Sequence, residues 1–248
     1  METTSDTSAS IAERVAALKC LKAWIAWGLT GKYVATYKSN SSLMYSLSDL
    51  TSVVPTLISL LSHADLFVDV SDVLQDVLTS SALAQGYGTK TLTEPILRWV
   101  NTTGTSIAQR SLQCSSSTLS GGLFLPIYVV RHNDAHSVAL CGLLVALGEH
   151  SNLWFATQLD TQPVQNFMNL VLVYTGFPGY YGIDEEESET TLSFWYLLQE
   201  SLWEATYPDE KKQEQQMGIA KELYREVVNT VRRKVTWPAN PIDWDAGA

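Results

Sequence analysis

His132 and His136 stand four residues apart, the interval that places two imidazoles on one helix face, with Asp134 between them and Cys141 nearby. These residue types bind zinc, and a hydrolytic metal centre is the chemistry they would serve. Such a site needs a second ligand pair at metal-site spacing, which the sequence lacks, so surface or core histidines and no metal are expected. His63 and His150 fall at helix ends, where an imidazole caps carbonyls. "GLTGK" at 28–32 resembles a phosphate loop, but the preceding strand, the full Gly-x4-Gly-Lys interval and the following Ser or Thr are missing. "TGFPGYYG" at 175–182 follows a helix and reads as a stop and turn. No serine sits in a Gly-x-Ser-x-Gly elbow, and no Cys/His pair follows from spacing. Neither catalytic residues nor a cofactor site are expected.

Two acidic groups remain. Asp65, Asp69, Asp72 and Asp76 recur at helical intervals, and the loop "DEEESE" contributes Asp184, Glu185, Glu186, Glu187 and Glu189. A charged stripe is first of all a solvated face. Its functional reading is an acidic wall on the inside of a curved helical stack, attracting a basic protein and speeding the encounter. The net charge of −10 fits that reading and argues against nucleic acid as the main ligand, because neutralising phosphates requires a basic surface.

The elements that must position these groups are helices. With 46% hydrophobic and 17% charged residues, the 248-residue chain is expected to be globular and soluble. Its longest apolar runs, Leu123 to Val130 and Val138 to Leu147, fall short of the ~18 residues needed to span a bilayer, so no membrane is expected. Met1 is followed by Glu, Thr, Ser and Asp rather than by a basic, apolar leader. Cys20, Cys114 and Cys141 have no paired spacing and apolar neighbours, as reduced core thiols of a cytosolic or nuclear protein would. The sequons at Asn40 and Asn101 are then idle.

Helical period runs almost throughout, and two-residue alternation is nearly absent, which predicts an all-α protein. The first helix is expected from about Ile11 to Trp27, stopped by Gly28, and the second from an N-cap at Asp49 to Leu61, bent by Pro55. In the third, Phe67, Val70, Leu74, Val77 and Leu78 face a core, with the four aspartates opposite. Thr91 and Glu94 have capping-box spacing ahead of Ile96, Trp99 and Val100. The fifth spans about Ala135 to Trp154 and is apolar nearly all round. Val164, Phe167, Met168, Val171 and Leu172 mark the sixth, closed by Gly176 and Pro178. The seventh, "TLSFWYLLQESLW" at 191–203, has one apolar stripe through Leu192, Trp195, Tyr196, Leu202 and Trp203 and a second through Phe194, Leu197 and Leu198, so it is expected to touch neighbours on two sides. The eighth begins at Asp209 and Glu210, carries Met217, Ala220, Tyr224, Val227, Val231 and Val235, and ends on Arg232, Arg233 and Lys234, which suits the helix dipole.

Alternate helices start near residues 11, 66, 135 and 190, steps of about 55, 69 and 55, longer than the ~40–47 of HEAT repeats but of the same kind. A helix pair cannot bury its own apolar faces, whereas a stack of pairs can. Residues 32–47 and 115–133 hold no helical period and read as inserts in one segment spanning 1–248; without them the first two steps shrink to roughly 40 and 50.

The stretches "LKCLKAWIAWGL", "DLFVDVSDVLQDVL", "LLVALGEHS", "FMNLVLVYTGFPGYYG" and "TTLSFWYLLQESLW" resemble consecutive helices of the importin-13 and transportin-SR branch of the importin-β (karyopherin-β) superfamily, in the same order along nearly the whole chain. The resemblance implies a right-handed HEAT-repeat α-solenoid of about four antiparallel pairs. It implies no enzymatic activity, a protein cargo, contact with nuclear pore proteins, and shuttling between nucleus and cytoplasm under Ran-GTP, and the acidic net charge favours a basic protein cargo. Members of this branch are several times longer, with their main Ran-binding repeats N-terminal to these helices, so the chain resembles a central slice with at most a secondary Ran contact. Both inserts depart from the family pattern, which runs from "WGLTG" straight to "LSDLTSVVP". We expect one or both to be translated introns, since "GKY" can be encoded with a donor-site start; both segments in the major spliced transcript would remove that expectation. A HEAT scaffold outside transport is the alternative, and a metal hydrolase using His132 and His136 a distant third.

Overall fold

The computed structural model describes residues 9–35, 47–80, 88–110, 135–178 and 185–235, without the side chains of 27–35, 47–52 and 80. Residues 36–46 of the insert expected at 32–47, the whole of the insert at 115–133 with His132, and Cys114, Asp134 and Asp184 lie outside the described residues.

Helix α1 spans Ile11–Ala35, opened by a capping box in which Glu13 N–H donates to Ser10 Oγ at 3.3 Å and Ser10 N–H to Glu13 Oε2 at 2.8 Å. It does not stop at Gly28 but continues through "GLTGK" and the first four residues of the expected insert, 32–35. A helical glycine costs only about 1 kcal/mol relative to alanine, so glycine without a left-handed turn does not end a helix. Helix α2, Leu47–Leu60, holds Asp49 inside its first turn rather than at its cap, with Pro55 on the exposed side. A 3-10 turn, Ala64–Leu66, leads into α3, Phe67–Ser80, whose five expected core residues are all at most 3% exposed.

Helix α4, Glu94–Trp99, is flanked by π-helical turns at Thr89–Thr93 and Val100–Gly104. The capping box expected at Thr91 is therefore absent. Pro95 has no N–H for the Thr91 carbonyl, and the Glu94 N–H closes instead on Thr89, five residues back. Ile96, Trp99 and Val100 are buried as expected.

Helix α5, Ala135–His150, ends earlier than the expected Trp154: the chain breaks at Ser151, whose hydroxyl pairs with that of buried Thr93 at 2.6 Å, and resumes as the short α6, Asn152–Thr157. Helix α7, Gln162–Thr175, stops at Gly176 as predicted. Close approach explains this glycine: its φ is −98°, and a Cβ there would lie 3.0 Å from Thr230 Cγ2. Helix α8 is Glu187–Glu204, and α9 is Glu210–Lys234, N-capped by Asp209, whose Oδ1 accepts the Lys212 N–H at 2.7 Å.

Packing follows chain order in two rows. In the first, α1 lies against α3, α3 against α5, and α5 against α8; in the second, α2 lies against α4, α4 against α7, and α7 against α9. Contacts of α2 with α3, α5 with α7 and α7 with α8 hold the rows together. This is the all-α solenoid arrangement, in which each pair is completed by the pairs before and after it. Glycines set two close approaches in the first row: Gly142 lies under the Gln75 side chain of α3, and Gly148 under the Phe194 ring of α8, where a Cβ would come within 2.4 Å of Cδ2. Among the described residues, no single helix is long and apolar enough to cross a membrane.

Candidate protein-binding surfaces

The four aspartates lie along α3 and the turn before it. Asp65 and Asp72 are exposed, and Asp69 and Asp76 are half-buried. The stripe is not one free acidic face, because Lys22 of α1 reaches across the first row to Asp72 and lies 3.9 Å from Asp76. The hydrogen bond to Asp72 raises the Lys22 ammonium, while burial pushes the Asp76 carboxyl up against the opposing pull of Lys22. Pairs this exposed contribute little stability, so their main effect is on local charge.

The acidic segment before α8 divides further. Glu185 is 6% exposed and accepts from Lys234 Nζ at 2.5 Å, from Ser188 Oγ at 2.6 Å and from Ser188 N–H at 2.8 Å. Lys234 also donates to the Phe177 carbonyl at 2.8 Å, so this carboxylate ties the end of α9 to the connection between α7 and α8. Glu187 is buried in the first turn of α8, whereas Glu186 and Glu189 are exposed. The sequence marks these as one charged run, although periodicity already sets Glu187 in register with buried Thr191 and Phe194.

Two of the described histidines, His136 and His150, make structural contacts. His136 Nε2 lies 3.1 Å from the Ala64 carbonyl, and its ring stacks on Phe67 with centroids 5.5 Å apart. His150 Nδ1 lies 3.0 Å from the Leu78 carbonyl in the last turn of α3, so it meets the end of a neighbouring helix rather than capping its own, and burial holds its imidazole below the ordinary range. His63 is exposed, and its side chain caps nothing at the 3-10 turn it precedes. Among the described residues, no three His, Cys, Asp or Glu side chains converge as a metal site would require. Cys141 is buried, with its thiol pushed far up by burial, but Cys20 is exposed, so the expectation of a core thiol fails there. Cys20 lies on the outer side of α1, opposite Leu18, Leu21 and Ile25.

The surface that sequence reasoning missed is on α8. Its buried residues, Glu187, Ser188, Thr191, Phe194, Trp195, Leu198, Ser201 and Leu202, form a single stripe. Phe194 meets Phe155 of α6 and Phe167 of α7 edge to face at centroid distances of 6.4 and 5.9 Å. Trp195 Nε1 donates to Thr175 Oγ1 at 2.8 Å, and that hydroxyl lies 2.9 Å from Thr191 Oγ1. On the other side of Trp195, Tyr224 of α9 donates its hydroxyl to the Trp195 carbonyl at 2.5 Å. The first expected stripe is split, with Trp195 and Leu202 buried but Leu192 41% exposed, Tyr196 61% and Trp203 76%, while Phe194 and Leu198 of the second are buried. The small residues Ser188, Thr191 and Ser201 all lie along the buried face, where small side chains permit the closest helix approach.

No family model matches the chain. Among curated proteins it is similar to importin-13 of Gallus gallus, 30% identical over 105 residues, and to importin-13 of Homo sapiens and Mus musculus, 29% identical over 113 residues. The matched stretch covers 42% of this chain in the first case and 45% in the others, and 11% of the length of each relative. Over somewhat less than half of its length, then, the chain is importin-13-like.

Proposed function

We propose that the chain is a HEAT-repeat segment, spanning 1–248, of a karyopherin-type nuclear transport receptor that binds basic protein cargo and shuttles between nucleus and cytoplasm. The similarity to importin-13 carries this reading. The two-row stack supports it, since extended helical stacks offer long surfaces for protein partners. Asp65, Asp69, Asp72 and Asp76, with the exposed Glu186 and Glu189, are the proposed acidic cargo contacts, whereas Glu185 and Glu187 are buried and Asp184 lies outside the described residues. Release would follow Ran-GTP, with any Ran contact in this chain a secondary one, and passage would use nuclear pore proteins. The residues serve binding rather than chemistry. Affinity capture from nuclear and cytosolic extract, with and without Ran-GTP, tests the reading: nucleotide-dependent loss of basic proteins supports it. Partners indifferent to Ran-GTP would point to a scaffold outside transport.

A further inference from the structure

Helix α3 has α1 on one side and α5 on the other, so the line along it through Asp65, Asp72 and the half-buried Asp69 and Asp76 belongs to the open face of the first row, not to an end of it. Asp72 and Asp76 are one helical turn apart, and Lys22 of α1 reaches both, bonded to Asp72 and 3.9 Å from Asp76. An ammonium from another helix thus already occupies this pair of carboxylates. How firmly it is held separates it from the ion pairs that tie α9 down. Lys234 and Glu185 have side chains 14% and 2% exposed and further partners in the Phe177 carbonyl and Ser188, and Asp160 is shared by Lys212 and Gln216. Lys22 and Asp72 are instead 39% and 52% exposed, and among the described residues no group but Lys22 reaches the carboxylates of Asp72 and Asp76. An exposed pair with no third partner is worth little against water, so another cation replaces it at small cost.

We propose that Lys22 is an internal occupant of the cargo-binding aspartates: a lysine of a basic partner binds Asp72 and Asp76 by displacing it, and α1 in this way sets how strongly a partner must bind. The proposal rests on the reading of the α3 aspartates as cargo contacts and adds the regulation of that site. Lysine carries its ammonium on a flexible stem, so Lys22 can swing into water while α1 keeps its seat through buried Leu18, Leu21 and Ile25. Displacement exchanges one lysine–carboxylate contact for another. The site therefore gives little to a lone lysine and favours a partner that brings further cations along the stripe, to Asp65 and Asp69.

The test uses the full chain and fluorescein-labelled oligolysine, followed by fluorescence anisotropy at low salt. Lys22→Met should tighten binding about three- to fivefold, the worth of an exposed pair. Lys19→Met, the same loss of charge at an exposed and unpaired lysine of α1, should change it by less than about 1.5-fold. Asp72→Asn with Asp76→Asn should weaken binding about tenfold and erase the effect of Lys22→Met. Lys22→Arg, which keeps a cation in place, should not tighten binding. In the unaltered chain the NMR resonances of the Lys22 side chain should move toward those of Lys19 as the peptide saturates, a readout that needs no variant to fold. Equal effects of Lys22→Met and Lys19→Met, a gain that survives Asp72→Asn with Asp76→Asn, or Lys22 resonances unmoved at saturation would overturn the proposal. In those cases the cargo reading stands wherever the aspartate variant still weakens binding. Oligolysine binding that ignores the aspartates, or no binding at all, would overturn that reading and the proposal with it.

Discussion

Helices α5 and α8 occupy the same row and are both rich in apolar residues, yet they bury them differently. In α5, six consecutive residues, Leu143 to Gly148, are buried, and six residues make more than a full helical turn, so that half of the helix is enclosed on every side. In α8 buried residues occur at most two in a row, and the intervening face carries Tyr196 and Trp203 to solvent. The difference is one of position. Helix α5 has α3 on one side and α8 on the other, whereas among the described residues α8 has a first-row neighbour in α5 alone. An apolar face in a repeat array is thus a property of the neighbours as much as of the helix.

The comparison can be broken where the two helices meet. Phe194→Ala removes a side chain fully buried against α5, α6 and α7 and should cost about 3–5 kcal/mol in urea unfolding. Gly148→Ala, placing a methyl against the same ring, should cost about 1–3 kcal/mol by overpacking. Trp195→Phe leaves the Thr175 and Thr191 hydroxyls without the indole donor and should cost about 1–2 kcal/mol. Trp203→Ser, on the same helix, should change stability by no more than about 0.5 kcal/mol. A large loss there would mean that α8 is enclosed like α5.

A pH effect sharpens the contrast further, at the junction of α3 and α5. Burial depresses the His150 imidazole, so the folded state binds its proton less readily than the unfolded chain does. Stability is then fully present above the unfolded value near 6.5 and falls as the pH drops below it toward the folded value. His150→Gln should flatten the stability profile between about pH 5 and 7, measured by denaturant midpoints; an unchanged slope would place the acid sensitivity elsewhere.

Helix identity and order were legible in the sequence because a 3.6-residue period is a local signal. Phe67, Val70, Leu74, Val77 and Leu78 were assigned to the core correctly for that reason, as was the stop at Gly176. Which face of a helix is buried is not local when apolar residues lie on both. The period of 191–203 admits two stripes, and the buried face takes Trp195 and Leu202 from one and Phe194 and Leu198 from the other, because α5, α6 and α7 lie along the seam between them. Helix ends were harder still. Gly28 did not terminate α1, and the break at Ser151 depends on a hydroxyl contact with Thr93, 58 residues earlier. In the acidic segment charge hid register: Glu185 is drawn inward by Lys234, which no pattern near residue 185 reveals.

The most direct measurement is hydroxyl-radical footprinting of Trp195 and Trp203 in the isolated chain. The two tryptophans share α8, eight positions apart, at 3% and 76% exposure. A stack whose first row runs α1, α3, α5, α8 predicts rapid modification of Trp203 and strong protection of Trp195. Comparable protection of both, or the reverse order, would contradict the arrangement.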